Sequence, residues 1–341
     1  MAYQTGTTNI STIEELMQTL NTFLMGLTGP GWVTHELDTG ANRMYMQQGT
    51  QYIGFQWSDT VGRTDRLWTG HATGVTVGQP LGAQPGNTNQ HISNDPTVSL
   101  DEHTNMVQFH EDPPFVRYHF FASEVAPYYC HVVVEQNGNV FKHFGFGNIE
   151  KFNDWTGGEY MYTHNVQSSS IDEAHDSTSA AVGIDGSNFF RRCWSMRCPD
   201  FIPGGDPSQV WALGNTSTSI TVTDEDGNPF IRAVSHGWRG GGYQSELGWL
   251  PQSNFDSMRM LFPIEIFLEA PTNINGQPIY YAGRQPDVRS LNMANFLPGD
   301  EITIGTDVWM IFPTSRKQVS ATLADGFASR NQGIAFLKNA A

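Results

Sequence analysis

Turn-forming residues divide this chain into short segments, and no other feature limits its possible folds as much. The 341 residues include 35 glycines and 18 prolines, which interrupt helices and the interiors of strands. Aromatic residues form 12% of the chain, enough to fill a core, so bulk disorder is excluded. The sequence therefore predicts a mainly β protein with an antiparallel sandwich or barrel-like body and long loops.

One segment near the N-terminus has the periodicity of an amphipathic helix instead. Ser11 and Glu14 have the spacing of a capping box, which begins a helix, and Gly29-Pro30-Gly31 ends it. We predict a helix over 12–27, packed either on the sheet of its own domain or on a neighbouring subunit. Its apolar residues recur at spacings of three and four and form one stripe: Ile13, Leu16, Met17, Leu20, Phe23, Leu24 and Leu27.

The clearest predicted hairpin covers residues 128–147. Asn137-Gly138 supplies the positive φ angles that a two-residue type I′ turn requires. This turn fixes the register, so that Val134 faces Phe141, and Phe146 shares a face with His131. Both faces of the ribbon are largely apolar, which predicts that both are covered by other parts of the protein.

A second hairpin is predicted over 219–234, with its turn at Asp226-Gly227. It places Ile220 opposite Ala233 and Val222 opposite Ile231. The segment after Thr314 is polar, with a short apolar patch at 334–337. Other short alternating segments are predicted strands: 32–37, 43–48, 52–57, 258–268, 278–282, 301–304 and 308–312.

Two long segments lack hydrophobic periodicity. Residues 69–105 are rich in Gly, Thr, Asn and Gln, and residues 165–188 are rich in Ser, Asp and Ala. Loops of this length are usually functional or ordered by a partner. We predict an N-terminal helix and antiparallel β domain over 1–164 and an exposed polar excursion over 165–188. A second β portion over 189–341 either stands apart or packs with the first as one unit.

Charge and apolar patterning exclude several classes of partner. The net charge is −16, and the chain contains no cluster of Lys and Arg of the kind that phosphate binding requires. Direct contact with duplex nucleic acid is therefore not expected. No apolar run reaches the roughly 18 residues of a membrane-spanning helix. The N-terminus does not resemble a secretory signal, and three cysteines do not form a disulfide framework, so we expect synthesis in a cytoplasm.

The sequence predicts no metal site and no cofactor. The histidines His110, His119, His131 and His143 fit no zinc-binding spacing, and are expected to form hydrogen bonds at a polar seam. Cys193 and Cys198 have no second pair of ligands nearby. Asp224, Asp226 and Asn228 alternate like the start of a calcium loop, but a tight Asp-Gly turn explains the same residues.

Catalytic motifs are also missing from the sequence. There is no G-x-S-x-G elbow and no phosphate-binding P-loop. Gly145-Phe146-Gly147 lacks the third glycine of a dinucleotide fingerprint. Acidic residues are so numerous that no carboxylate pair stands out for glycoside hydrolysis. We therefore predict a protein that is not an enzyme and has no catalytic residues.

Three segments of the chain have distinctive sequences. The capped helix, Gly-Trp and strands beginning at Ser11 resemble the N-terminal unit of many tailed-bacteriophage virion proteins. Tyr-Cys-His-Val-Val-Val-Glu at 129–135, Phe-Lys-His-Phe-Gly-Phe-Gly at 141–147 and Trp-Thr-Gly-Gly-Glu-Tyr at 155–160 are similar to a signature of tail and baseplate proteins. The stretch 286–313 is similar to the same group. Together they cover about a third of the chain and carry no catalytic motif.

This resemblance implies a structural subunit of a virion, in the tail or baseplate, made in the host bacterial cytoplasm. Its expected partners are other virion proteins and copies of itself. A capsid decoration or neck protein is the nearest alternative. A carbohydrate-binding module for host attachment, with weak glycan contact, is the alternative from another class. It is suggested by Trp238, the glycines at 240–242 and Trp249.

Overall fold

The fold is described from a computed structural model of the whole chain. The residues that the structure describes are 1–6, 12–29, 31–58, 65–86, 106–109, 115–136, 140–163, 194–197, 211–214, 231–235, 261–269, 279–292, 295–313 and 332–339. They form a mostly β, antiparallel structure with helix α1 at Ile13–Met25 and a short 3₁₀ helix at Leu81–Ala83. The predicted fold class is confirmed, in its sandwich form.

Nineteen strands are formed by the described residues, and they are numbered in chain order. The first ten are β1 Ala2–Gly6, β2 Val33–Asp38, β3 Arg43–Gln48, β4 Gln51–Ser58, β5 Asp65–Ala72, β6 Met106–Phe109, β7 Arg117–Ala122, β8 Tyr129–Gln136, β9 Val140–Asn148 and β10 Glu150–Lys151. The other nine are β11 Glu159–Thr163, β12 Trp194–Arg197, β13 Trp211–Gly214, β14 Ile231–Ser235, β15 Phe262–Glu269, β16 Ile279–Asn292, β17 Glu301–Ile304, β18 Asp307–Pro313 and β19 Gln332–Asn339.

Helix α1 begins one residue later than the capping box predicts. The N-cap is Thr12, whose hydroxyl accepts a hydrogen bond from the backbone N–H of Glu15 at 3.1 Å. The cap predicted at Ser11 and Glu14 is therefore wrong by one position, because two adjacent residues, Ser11 and Thr12, can both serve as caps. The apolar stripe is buried from Ile13 to Leu24. It packs within its own chain, against the small sheet and β7, as the first of the two alternatives predicts.

The strands form two sheets. The smaller sheet has the order β2-β3-β4-β5-β6, a simple antiparallel meander. The larger sheet has the order β1-β7-β8-β9-β11-β12-β13-β14-β15-β16-β19-β18-β17, and β10 pairs with β16 beside this path. Strands before and after the segment 165–188 therefore belong to one sheet. The domain boundaries predicted at 164 and 189 stay a prediction.

The two halves of the larger sheet pack face to face, which produces three layers. One cluster of buried residues joins Phe121 and Val133, in the first half, to Val288 and Phe336, in the second half. A different cluster joins the opposite face of the first half to α1 and the smaller sheet. The strands β7, β8, β9 and β11 thus form a middle layer buried on both faces. The prediction that the 128–147 ribbon is covered on both sides is confirmed.

The register predicted for this ribbon is wrong by one residue. Gln136 pairs with Val140, so three residues connect the strands, and Val134 lies opposite Lys142 instead of Phe141. Phe146 consequently lies opposite Cys130, on the face that packs against α1 and the smaller sheet. Because both faces of the ribbon are apolar, hydrophobic patterning selects neither register. Asn137-Gly138 lies outside the described residues.

One of the two residue pairs predicted for the second hairpin, Ile220 with Ala233, is wrong. Ala233 lies between Gly214 of β13 and Leu268 of β15, so both of its sheet edges are occupied and Ile220 cannot pair with it. Strand β14 is parallel to β13, an arrangement that an Asp-Gly turn does not reveal. Val222 and Asp226-Gly227 lie outside the described residues.

The segment predicted as a long loop over 69–105 is shorter in the structure. Residues 69–72 complete β5, and residues 73–86 fold back on the smaller sheet, with Leu81 buried beside Tyr45. The rest of that segment, and all of 165–188, lie outside the described residues. The apolar patch at 334–337 belongs to β19, a strand between β16 and β18. None of the helices in the described residues has the length and apolar character needed to cross a membrane.

Candidate functional site

A cleft of about 490 Å³ opens between the two sheets at one end of the sandwich. Its volume lies in the range of small-ligand sites, roughly 300–1,000 Å³. The smaller sheet contributes the tight turn between β3 and β4 and the end of β5. The larger sheet contributes the first residue of β11 and the last residue of β12. The lining residues are Gln47, Gly49, Thr50, Gln51, Tyr52, His71, Ala72, Thr73, Glu159 and Arg197.

A buried carboxylate, Glu159, lies at the centre of this cleft. It is 4% exposed. Its Oε1 accepts a hydrogen bond from Thr50 Oγ1 at 2.8 Å and another from Arg197 Nη1 at 3.1 Å. A buried charge is tolerated when it is paired and hydrogen-bonded in this way. Because Thr50 belongs to one sheet and Glu159 and Arg197 to the other, this cluster also ties the two sheets together.

The amide of Gln51 forms a second link between the sheets. Its Nε2 donates to the carbonyl oxygens of Gly147 and Tyr160 at 3.2 and 3.3 Å. His71, fully buried on β5, also lies near the backbone of Tyr160 in the larger sheet, and burial lowers its pKa to about 3. His71 is therefore neutral at physiological pH and offers the cleft no charge.

A second polar cluster lies inside the protein, between the two halves of the larger sheet. His131 Nε2 lies 3.4 Å from the carbonyl oxygen of Pro286, and its Nδ1 lies 3.0 Å from the Tyr162 hydroxyl. A carbonyl can only accept, so the proton is on Nε2 and the tyrosine donates to Nδ1. Gly145 lies opposite His131, and a Cβ there would collide with the Tyr162 ring at 2.5 Å.

Two further histidines are anchored in the same layer. His143 Nε2 donates to the carbonyl oxygen of Pro313 at 3.0 Å, and His119 Nδ1 lies 2.9 Å from the Tyr3 hydroxyl. Burial lowers the pKa of each of these two imidazoles, and that of His131, to about 3. The polar seam predicted for these three histidines is thus present. Hydrogen bonds from these neutral imidazoles to carbonyls and tyrosines hold the strands together.

Tyr129 and Asp287 complete this seam. The Tyr129 hydroxyl donates to Asp287 Oδ2. Burial is the main cause that raises the pKa of this tyrosine, and the neighbouring carboxylate adds to it. Asp287 has a positive φ of 53°, a conformation that is uncommon outside glycine and that Asp tolerates better than most residues. The bond therefore links β16 to β8.

Each sheet has two edge strands, which pair on one side only in the described part of the chain: β2 and β6 in the smaller sheet, and β1 and β17 in the larger sheet. Two of these strands, β2 and β17, carry an exposed large apolar residue, Val33 at 48% and Ile304 at 44%. A register shift between Thr34 and Glu36 interrupts the pairing of β2. Bulges of this kind limit edge pairing, so the accessible part of that edge is its Val33 end.

The other residues that the sequence singled out lie outside the described residues: His110, Cys193, Cys198, the Asp224–Asn228 alternation, Trp238 and Trp249. Among the described residues, no group of three or more His, Cys, Asp or Glu side chains could hold a metal ion. Cys130 is fully buried, and burial raises the pKa of its thiol, which makes it unreactive.

The chain was compared with protein-family models and with curated proteins. No family model matches the chain, and no curated protein matches it. The resemblance to phage tail proteins thus rests on the sequence segments alone.

Sequence reasoning missed the cleft because its residues come from four distant places in the chain. A weak signal existed at Glu159, which follows Gly157-Gly158 and begins a segment of buried aromatic residues. A carboxylate at the start of a strand buried on both faces must find a partner. The sequence does not show that Arg197 and Thr50 are those partners.

Proposed function

We propose that this protein is a non-enzymatic structural subunit of a tailed-phage virion, in the tail or baseplate. It acts through contacts with copies of itself and with other virion proteins. The observation that carries the proposal is that, among the described residues, β2 and β17 each pair on one side only and carry an exposed apolar side chain. Such an edge accepts a strand or loop from a neighbouring subunit.

The layered body suits this role. A middle layer buried on both faces and cross-linked by histidine and tyrosine hydrogen bonds is a rigid support. Three sequence segments resemble virion proteins of tailed phages. One of them, 128–160, supplies β8 and β9 of that layer, and another, 286–313, supplies Pro286, Asp287 and Pro313 to its polar seam. The net charge of −16 keeps free subunits apart until a specific surface receives them.

The proposal is tested on particles of the phage whose genome encodes this chain. Virions and isolated tails are purified on density gradients, and mass spectrometry measures the ratio of this chain to the major capsid protein. We expect a fixed ratio in virions and enrichment in isolated tails. Enrichment in tail-less heads would indicate the decoration or neck alternative, and absence from all particles would overturn the proposal.

Edge variants then test the observation itself. Ile304→Lys and Val33→Lys place a charge on an open edge, a known obstacle to strand pairing. We expect either variant to enter particles less than the parent chain. Phe152→Lys places the same charge on an exposed apolar residue that follows β10 and belongs to neither edge strand, and should enter particles normally. Equal incorporation of all three variants would exclude the edges as interfaces.

A further inference from the structure

Two buried acceptor atoms in the cleft have no donor. Within the described residues, Glu159 Oε2 and Gln51 Oε1 form no hydrogen bond, although the other polar atom of each side chain is bonded. Leaving a buried acceptor unpaired costs about 1–3 kcal/mol, and more for a charged group. Both atoms belong to residues that line the same cleft. Two such atoms together favour a bound group that donates hydrogen bonds.

The charges around the cleft restrict what that group can be. Glu159 and Arg197 cancel each other at 3.1 Å, and burial keeps His71 neutral. A cation in the cleft would be attracted by Glu159 but repelled by Arg197. An anion would be attracted by Arg197 but repelled by Glu159. A neutral ligand avoids both penalties, provided that its groups both donate and accept.

Hydroxyl groups meet this requirement. The Arg197 guanidinium has five N–H donors, one of which bonds Glu159, and its side chain is 23% exposed. The hydroxyls of Thr50 and Thr73 also lie along the cleft. A ligand hydroxyl can therefore donate to Glu159 or Gln51 and accept from Arg197. Adjacent hydroxyls on one sugar ring can repeat this pattern, in which each hydroxyl donates one hydrogen bond and accepts another.

We infer that the cleft between the β3–β4 turn and the β11–β12 strands binds a neutral polyhydroxylated ligand of the saccharide class. Glu159 and Gln51 accept hydrogen bonds from its hydroxyls, and Arg197 donates to them. This inference does not depend on the proposed virion function. It concerns residues distinct from Trp238 and Trp249, at which the sequence suggested glycan contact.

Saturation-transfer NMR on the full chain tests this inference, with a panel of neutral sugars: glucose, galactose, mannose, rhamnose and N-acetylglucosamine. We expect transfer to at least one sugar. Glu159→Gln should weaken its binding about tenfold, the equivalent of one lost hydrogen bond to a charged group. Since that variant also removes the ion pair with Arg197, circular dichroism and thermal melting must show that it folds.

A second test leaves Glu159 unchanged and compares one variant that blocks the cleft with one that does not. Thr73→Trp places a bulky ring in the cleft and leaves Glu159, Gln51 and Arg197 intact. Val77→Trp makes the same change on the same segment but outside the cleft. We expect Thr73→Trp to abolish transfer and Val77→Trp to preserve it. The inference would be overturned if no sugar showed saturation transfer, a result that would leave ordered water as the hydrogen-bond donor. It would also be overturned if Thr73→Trp and Val77→Trp showed equal transfer. Binding of lysine but of no sugar would also overturn it.

Discussion

Buried histidines determine how the stability of this protein depends on pH. Burial lowers the pKa of His119, His131 and His143 to about 3, whereas an unfolded histidine titrates near 6.5. Between these values the unfolded chain binds protons that the folded chain does not. The stability that these histidines contribute is therefore fully present above about pH 6.5 and is lost as the pH falls toward 3.

His143→Gln tests this link at one residue. The glutamine amide can still donate to the Pro313 carbonyl, but it does not titrate. The slope of unfolding free energy against pH, measured by urea unfolding between pH 6.5 and 4, should decrease by up to about 1.4 kcal/mol per pH unit. His35→Gln, at an exposed position, serves as the control. Equal slopes for the two variants would show that His143 is not buried as a neutral group.

Lys142 opposes folding at neutral pH. It is buried, no hydrogen bond or ion pair among the described residues involves its ammonium group, and burial lowers its pKa to about 7. Because the unfolded side chain keeps its proton to about pH 10.4, stability should rise between pH 7 and 10. Lys142→Met should remove that rise and increase the unfolding free energy at pH 7 by about 1–4 kcal/mol.

Urea unfolding at pH 7 and pH 10 provides the measurement, with Lys151→Met as the matched control on an exposed lysine. The control variant should follow the parent at both pH values. If Lys142→Met is less stable than the parent at pH 7, the ammonium group is a stabilising partner of some other residue and the prediction is wrong.

At the scale of elements, two adjacent residues, Ser11 and Thr12, could each be the N-cap of α1, and mutation can tell which one is. Thr12→Ala removes the acceptor for the Glu15 N–H and should lower the unfolding free energy by about 1 kcal/mol. Ser11→Ala, at the position that the sequence favoured, is the control and should have less than half of that effect. Thermal and urea unfolding measure both. A larger loss for Ser11→Ala would place the cap one residue earlier.

The elements that the sequence predicts correctly are those held by local interactions. The stripe from Ile13 to Leu24 follows from helical spacing, and the hairpin of β17 and β18 follows from a short turn at Gly305-Thr306. Strand β19 was missed because its patch at 334–337 becomes a strand only by pairing with β16 and β18, which are distant in sequence.

Register errors have a related cause. The β8–β9 ribbon is apolar on both faces because it belongs to the middle of three layers, so either register buries apolar side chains. Only tertiary contacts decide between them, such as the fit of Phe146 against Trp32 with ring centroids 5.5 Å apart. The candidate cleft shares this limit, since Thr50, Glu159 and Arg197 meet only in the folded chain.

At the scale of the whole molecule, buried hydrogen bonds join the layers, while β2 and β17 pair on one side only among the residues that the structure describes. His131, His143 and Tyr129 hold the two halves of the larger sheet together, and Gln51 and Glu159 hold the smaller sheet to it. A body fixed internally in this way can use its edges for assembly without changing its fold. The central claim is therefore that the protein works as a rigid subunit whose edges contact neighbours.

Cryo-electron microscopy of the intact particle is the most direct test of that claim. The account predicts tail or baseplate density that fits the three layers, with β17 or the Val33 end of β2 in contact with a neighbouring subunit. Particles with no density for this fold would contradict the account. So would density in which both edges face solvent and all subunit contacts lie elsewhere.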